Sequence, residues 1–327
     1  MEFQLPITIP SLPQPIRYGD KILLTGSCFT EHIGNALRDW KFHTLQNPNG
    51  ILFDAASVAS SLVSYIRPQV YEEDDLFYLN ELWQSWQHHG SFARMDAMEC
   101  LRGINASQEN AHRFLRETDW LIITLGSAFS YRLAEGGRAV ANCHRAPQQW
   151  FRKCLMTIEE IVSELDGCLH QLFYFNPDLR VIFTVSPVRH IRDGVVENNR
   201  SKARLIESVH HLAGKFDKLY YFPAYELVID VLRDYRFYDI DMVHPNYAGT
   251  AFVLEKFVAH CIDEPGQQLL EEVKKIVTAR RHRPLHPATE AHTRFMREQY
   301  AKAVELGRQH PFLDLREELD YFSLIKA

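Results

Sequence analysis

The feature that most restricts this chain is a repeated handover from a short apolar run, through a polar break, to a helical period. Lys21 to Trp40 (KILLTGSCFTEHIGNALRDW) shows it first. Ile22, Leu23 and Leu24 form an apolar run that stops at Gly26, as a strand covered on both faces does. Beyond it Phe29, Ile33 and Leu37, with Ala36 and Trp40 beside them, make one helical stripe, while Glu31, Asn35, Arg38 and Asp39 face away. Strand-like runs recur at Phe42–Gln46, closed by Asn47-Pro48-Asn49-Gly50, and at Trp120–Leu125, closed by Gly126. They recur again at Arg180–Val185, closed by Ser186-Pro187, and at Leu219–Phe222. Strands alternating with helices pair in parallel through right-handed crossovers, so an α/β, doubly wound sheet with helices on both faces is expected.

Such sheets bind ligands beyond the carboxyl ends of their strands. The polar motifs all follow strands: Ser27, Asn47 to Gly50, Gly126 with Asn142, Ser186 to His190, and Asp241 to His244. They are expected at one rim.

Composition narrows the classes of function. Across 327 residues, 42 acidic and 36 basic side chains leave a formal charge of -6, which gives no footprint for nucleic acid. No apolar run approaches the roughly 18 residues of a membrane span. The N-terminus (MEFQLPITIPSLPQP) lacks a basic start and a long apolar core, so a cytoplasmic location is expected. Cys28, Cys100, Cys143, Cys154, Cys168 and Cys261 are scattered without CxxC spacing. Neither metal nor organic cofactor is expected; the His88-His89 and His210-His211 pairs are adjacent and cannot face one ion from the same side of a helix or strand.

Residues 1–264 are expected to form the main domain, preceded by a proline-rich lead-in over 1–20 and carrying an aromatic and histidine-rich insertion at about 51–118. Within it Asp54–Ile66 and Asn105–Glu117 read as helices. Leu76–Phe92 reads as a hairpin packed on the body, or as a wall or lid of a cleft. Gly126 to Arg145 reads as a loop, Met156–Phe173 as a helix, and Ser201 as the cap of a helix with Leu205, Val209, Leu212 and Phe216 inside. A further helical stretch lies near Leu227–Asp234 and another over Tyr247–Cys261. Residues 265–327 read as a helical C-terminal extension packing on the sheet domain or on a second copy, a route to a homo-oligomer.

The chemistry concentrates at two places. Ser27 lies between a strand and a helix start, where it is either a helix cap or a nucleophile in a positive partial field. Asp241 and His244 sit in one tight loop, where the carboxylate can fix one ring nitrogen and leave the other to accept a proton from Ser27. Cys28, a thiol at a helix start, is an alternative attacking atom. Arg189 and His190 are either substrate contacts or partners of acidic neighbours.

Gly26-Ser27-Cys28-Phe29 resembles the signature of the GSCFA family, a branch of the SGNH or GDSL-like hydrolase superfamily, with Thr30 in place of its final alanine. Further familial stretches are Asn47 to Gly50, Leu125-Gly126-Ser127, Asn142-Cys143-His144, Thr184 to His190, Asn199 to Ala203, Tyr221 to Glu226, Arg233 to Tyr238 and Asp241 to Pro245. The resemblance implies a three-layer αβα sandwich on a five-stranded, mainly parallel, flavodoxin-like sheet. It implies Ser27 as nucleophile, His244 as base and then acid, and Asp241 as its orienting partner. An oxyanion would be held by the N–H groups of Ser27 and Gly50 and by a side-chain amide. Relatives carry that amide two residues after the glycine ending the third strand, where this chain has Ala128; Asn142 is the candidate replacement, unless it is a turn residue. The expected activity is hydrolysis of a small-molecule or glycan ester, with no nucleic-acid or membrane partner. An inactive binding protein or an acyltransferase on the same residues are the alternatives.

Overall fold

A computed structural model describes residues 5–324; the first four residues of the proline-rich lead-in and the last three of the C-terminal tail lie outside the described residues. The central sheet comprises β1 (Lys21–Gly26), β2 (His43–Gln46), β3 (Trp120–Leu125), β4 (Arg180–Val185) and β5 (Leu219–Tyr221). Its five strands lie in the order β5-β4-β3-β1-β2, all parallel, which is the flavodoxin-like arrangement.

Alternation along the strands feeds two cores. Ile22, Leu24, Trp120, Ile122 and Ile182 enter one, against α1 (Cys28–Asp39) and α6 (Tyr247–Cys261). Leu23, Leu121, Ile123, Val181 and Phe183 enter the other. That side is covered by α2 (Ala55–Ile66), α3 (Ala97–Arg116), α4 (Ile158–Phe175) and α5 (Val195–Ala213). Three of these helices, α2, α3 and α4, begin where a side chain can hold an orphan N–H: Asp54 accepts from Ser57, Asp96 from Glu99, and Thr157 and Glu160 form a reciprocal box.

The C-terminal helices α7 (Glu264–Arg281), α8 (Glu290–Gln309) and α9 (Arg316–Ser323) bury Leu270, Val273, Met296 and Phe322 in the same core as Ile22 and Leu24. Glu318, with no exposed surface, locks α9 down by pairing with Lys41 at 2.9 Å and Arg280 at 3.1 Å.

Several local expectations need correction. Helix α5 begins at Val195, and Ser201 is an interior, buried residue whose Oγ accepts from the Ala128 N–H at 2.7 Å. Helix α3 begins at Ala97, where Asp96 caps it, rather than at Asn105. The stretch after Gly126 is no simple loop: Phe129–Leu133, Ala139–Val140 and Phe151–Leu155 make a three-stranded antiparallel sheet. Leu227–Leu232 is wound as a π-helix that stops at Arg233 in the left-handed region, φ 45°. The hairpin Leu76–Leu79 with Leu82–Ser85 does form, turning at Asn80 and Glu81, both with positive φ as a tight hairpin turn requires. Phe77 stacks on Trp86 at 3.5 Å, and the Trp86 carbonyl accepts from Ala141, so the hairpin is seated beside the small sheet. Among the described residues no helix is long and apolar enough to cross a membrane.

Candidate active site

Strand β1 ends against the backbone of β3. At Gly26 φ is +135°, and a Cβ there would lie 2.1 Å from the Thr124 carbonyl oxygen, so only glycine passes. The Asn47 side chain receives the Gly26 N–H at 3.0 Å, which ties the loop after β2 to this crossing. Ladder bonding continues one residue further, because Ser27 N–H donates to Thr124 O at 3.0 Å.

That extra ladder bond bears on both roles expected of Ser27. Its N–H is spent and cannot hold an oxyanion. Its side chain is turned inward beside Gly126, with no exposed surface, and Oγ makes no hydrogen bond. The structure therefore does not bring Ser27 within hydrogen-bond reach of His244. The Gly50 N–H is also committed, donating to Asn47 O at 2.7 Å within its own turn.

Asp241 and His244 come together as their spacing implies. Asp241 Oδ1 accepts from the N–H groups of Val243 and His244 at 2.9 and 3.0 Å, while Oδ2 meets His244 Nδ1 at 2.6 Å. The turn holding them places Met242 in the left-handed region, φ 59°, and is closed by the bridge between Tyr238 and Pro245. The His244 N–H and ring and the Val243 N–H hold the Asp241 carboxyl down at about 2. With Nδ1 facing a carboxylate, Nε2 is left as the proton acceptor. Both side chains are about half exposed, 44% for His244 and 45% for Asp241, so a substrate can reach them.

Two other rings lie near His244, and burial makes both harder to protonate. Burial pushes His190 down to about 4, with Lys202 and His244 adding to the effect. Burial lowers His32 as well, with His244 again contributing. The exposed ring with the carboxylate partner is thereby the one suited to act as base.

A cleft of about 400 Å³ lies on the far side of Arg189 and His190, lined among others by Phe53, Asp54, Phe129, Tyr131, Asn142 and Asp193; Asp241 and His244 are not part of its wall. Asn142 and His190, both expected to contact substrate, line it. Asn142 is also a turn residue, since its Oδ1 accepts from His144 N–H at 2.9 Å. Arg189 links cleft and pair: its N–H and guanidinium donate to the carbonyls of Val243 and Met242, and it lies 4.3 Å from the Tyr238 ring centre. Ala128 is buried with its methyl in the sheet core and its N–H on Ser201, so no amide enters from that position.

The sequence reading missed Lys202. It is 1% exposed and donates from Nζ to Gly126 O at 2.6 Å and Ser186 O at 2.7 Å, clamping the ends of β3 and β4. Burial pushes its ammonium down to about 7. The available signal was a lysine three residues before Leu205 on the inward stripe of an amphipathic helix, where a charge needs a buried partner.

The GSCFA family model matches residues 21–257, and a model for the GSCFA C-terminal domain matches residues 273–324. No curated protein matches the chain. Among solved structures, a carbohydrate esterase family 3 from Talaromyces cellulolyticus overlaps 78% of this chain and 99% of its own at 10% identity, TM-score 0.35. An acetyl xylan esterase, Est2A, from the rumen bacterium Butyrivibrio proteoclasticus overlaps 75% of this chain and 64% of its own at 11% identity, TM-score 0.37. Overlaps this loose say nothing about chemistry.

Proposed function

The chain belongs to the GSCFA family, and from that footing we propose that it is an ester hydrolase working by acyl transfer through Asp241 and His244. The observation that carries this is the 2.6 Å contact between Asp241 Oδ2 and His244 Nδ1 in a turn that fixes the carboxylate twice more. Such a pair sets the imidazole tautomer and stabilises the imidazolium formed when Nε2 takes a proton. The nucleophile comes from the β1–α1 junction, at the same carboxyl rim of the sheet.

A cleft of about 400 Å³ suits a small ester or one unit of a larger one. Its Phe53, Phe129 and Tyr131 rings with neighbouring polar groups suit a carbohydrate-like substrate carrying an acetyl or other short acyl group. Neutral His190 and Asn142 contact that substrate.

The test is turnover of p-nitrophenyl acetate by the full chain. His244→Asn is expected to lower kcat by about 10⁴ or more, and Asp241→Asn by about 10²–10⁴, because the ring loses its tautomer and orientation. A His244→Asn variant that turns over at the wild-type rate removes the proposal. The absence of a side-chain amide at Ala128, with Ser27 and Gly50 N–H groups committed, favours a second reading, a binding protein on the same cleft. In that case wild type and His244→Asn are equally inert.

A further inference from the structure

We infer that a second cleft, beside α2, is a subsite for an acidic sugar unit, one that bears a carboxylate, of the esterified substrate. The inference rests on the ester-hydrolase reading above and deepens it by naming the substrate class.

This cleft encloses about 350 Å³ and follows α2 from Ala56 to Arg67. At 1.5 Å per residue that is a run of about 16 Å. Tyr71, Gln87, Arg138 and Ala139 contribute to the rest of its wall. Its charge is one-sided. Arg67 and Arg138 are exposed and both line it, whereas no aspartate or glutamate does. Arg138 is loosely engaged, 3.4 Å from Asp75 and 3.0 Å from the side-chain oxygen of Gln87. Arg67 makes no ion pair among the described residues. Two guanidinium groups on a wall without a carboxylate favour a ligand that brings paired anionic oxygens.

The remaining polar groups suit hydroxyls. Ser57, Ser61 and Ser64 fall on one face of α2, and each hydroxyl proton is already committed: to Asp54 Oδ2 at 2.6 Å, to Val58 O at 2.8 Å and to Ser61 O at 2.7 Å. Their oxygens keep acceptor capacity for ligand hydroxyls. Asn49 adds a buried donor. It lines the cleft at 3% exposure, and its Oδ1 accepts from the Tyr65 hydroxyl at 2.9 Å. Its amide nitrogen has one contact, 3.5 Å to the Gln87 carbonyl, so the second N–H has no partner among the described residues. A ligand anionic at one end and hydroxylated along its length matches both sets of groups; a bare phosphate matches the arginines alone.

The two clefts adjoin. Ala141 lines both. Asp54, on the wall of the first, holds Ser57, on the wall of the second, by its N–H at 2.9 Å and its hydroxyl at 2.6 Å. A saccharide of two or more units crossing Ala141 puts its acidic unit beside Arg67 and Arg138 and its neighbour against Phe53, Phe129 and Tyr131.

The test is calorimetric titration of the full chain with digalacturonate and with glucuronosyl-xylose, against galactobiose and xylobiose as neutral counterparts and inorganic phosphate as a bare anion. At least one uronate is expected to bind at least tenfold more tightly than its neutral counterpart and than phosphate. Arg67→Gln and Arg138→Gln should each weaken that binding about tenfold or more. Arg67→Gln decides the matter should Arg138→Gln lower the melting temperature, because Arg138 also holds Gln87 and Asp75. Failure of both uronates to bind, neutral sugars or phosphate binding as tightly, or an Arg67→Gln variant that binds like wild type overturns the inference. Hydrolysis of p-nitrophenyl acetate by wild type is read separately. Uronate binding without that hydrolysis keeps the acidic-sugar site and removes the hydrolase reading; hydrolysis without uronate binding removes the subsite alone.

Discussion

Replacing Lys202 by methionine isolates what the buried ammonium does. Nζ donates to Gly126 O and Ser186 O at 2.6 and 2.7 Å in a site with 1% exposure. Methionine fills nearly the same volume but leaves both carbonyls without these donors, at about 1–3 kcal/mol each. The gain from no longer burying a charge offsets part of that, so a net loss of about 2–4 kcal/mol is expected near pH 7. The pH dependence supplies an independent sign. Burial holds Lys202 at about 7 in the folded chain, below its unfolded value of about 10.4. Between those values the unfolded chain binds more protons, so wild-type stability rises with pH, by up to about 1.4 kcal/mol per unit, and falls away as pH drops towards 7. Lys202→Met lacks that term, and the gap between the two proteins should widen from about pH 7 to about pH 9.5. Urea unfolding followed by tryptophan fluorescence measures both. A loss below about 0.5 kcal/mol, or a gap independent of pH, refutes the clamp.

The same unfolding assay tests the seat of the C-terminal helices: Glu318→Ala removes the buried carboxylate from Lys41 and Arg280 but leaves them Glu317 at 3.7 and 3.1 Å, so a cost of about 1–3 kcal/mol is expected, and a midpoint equal to wild type would count against it. In the cleft, His190→Ala removes a neutral ring that lines the substrate space and should lower kcat/KM by about tenfold to a hundredfold, mostly through KM; an unchanged KM would place His190 outside the binding surface.

What was legible in the sequence follows from how local each cause is. The buried strands announce themselves because both faces are apolar, as in Ile22 to Leu24 and Trp120 to Leu125. The Asp241–His244 pair was legible because an aspartate that bonds the N–H groups two and three residues ahead builds its own turn. The small antiparallel sheet was not: Ala139–Val140 is two residues long, and Phe129–Leu133 is held by pairing with Phe151–Leu155, far away in sequence. The start of α5 was missed because Val195 and Val196 are exposed, at 57% and 72%, so the first turn carries no inward stripe. The burial of Ser27 was not legible for a subtler reason. Whether the residue after a strand-ending glycine faces in or out depends on whether the ladder with β3 runs one bond further, and the partner Thr124 lies about a hundred residues away.

The alanine at position 128 and the burial of Lys202 belong to one arrangement. Carbonyls at the ends of β3 and β4 would normally turn their negative ends towards the space above the sheet, where an oxyanion must form. Here Gly126 O and Ser186 O are turned onto an ammonium instead. The rim then loses the opposition of two carbonyl dipoles, and gains a positive charge only in the fraction of molecules in which Lys202 is protonated. Free N–H groups at the start of α1 add to the same field, with the helix dipole behind them. Preorganised donors in a poorly solvated place stabilise developing negative charge whichever group supplies it. Of the carboxylates near the rim, Asp241 stands out in solvent on an exposed turn, where water screens it and His244 Nδ1 faces it, whereas Asp54 and Asp193 line the cleft itself. On the acyl-transfer reading proposed above, such a rim can stabilise an oxyanion with alanine at position 128.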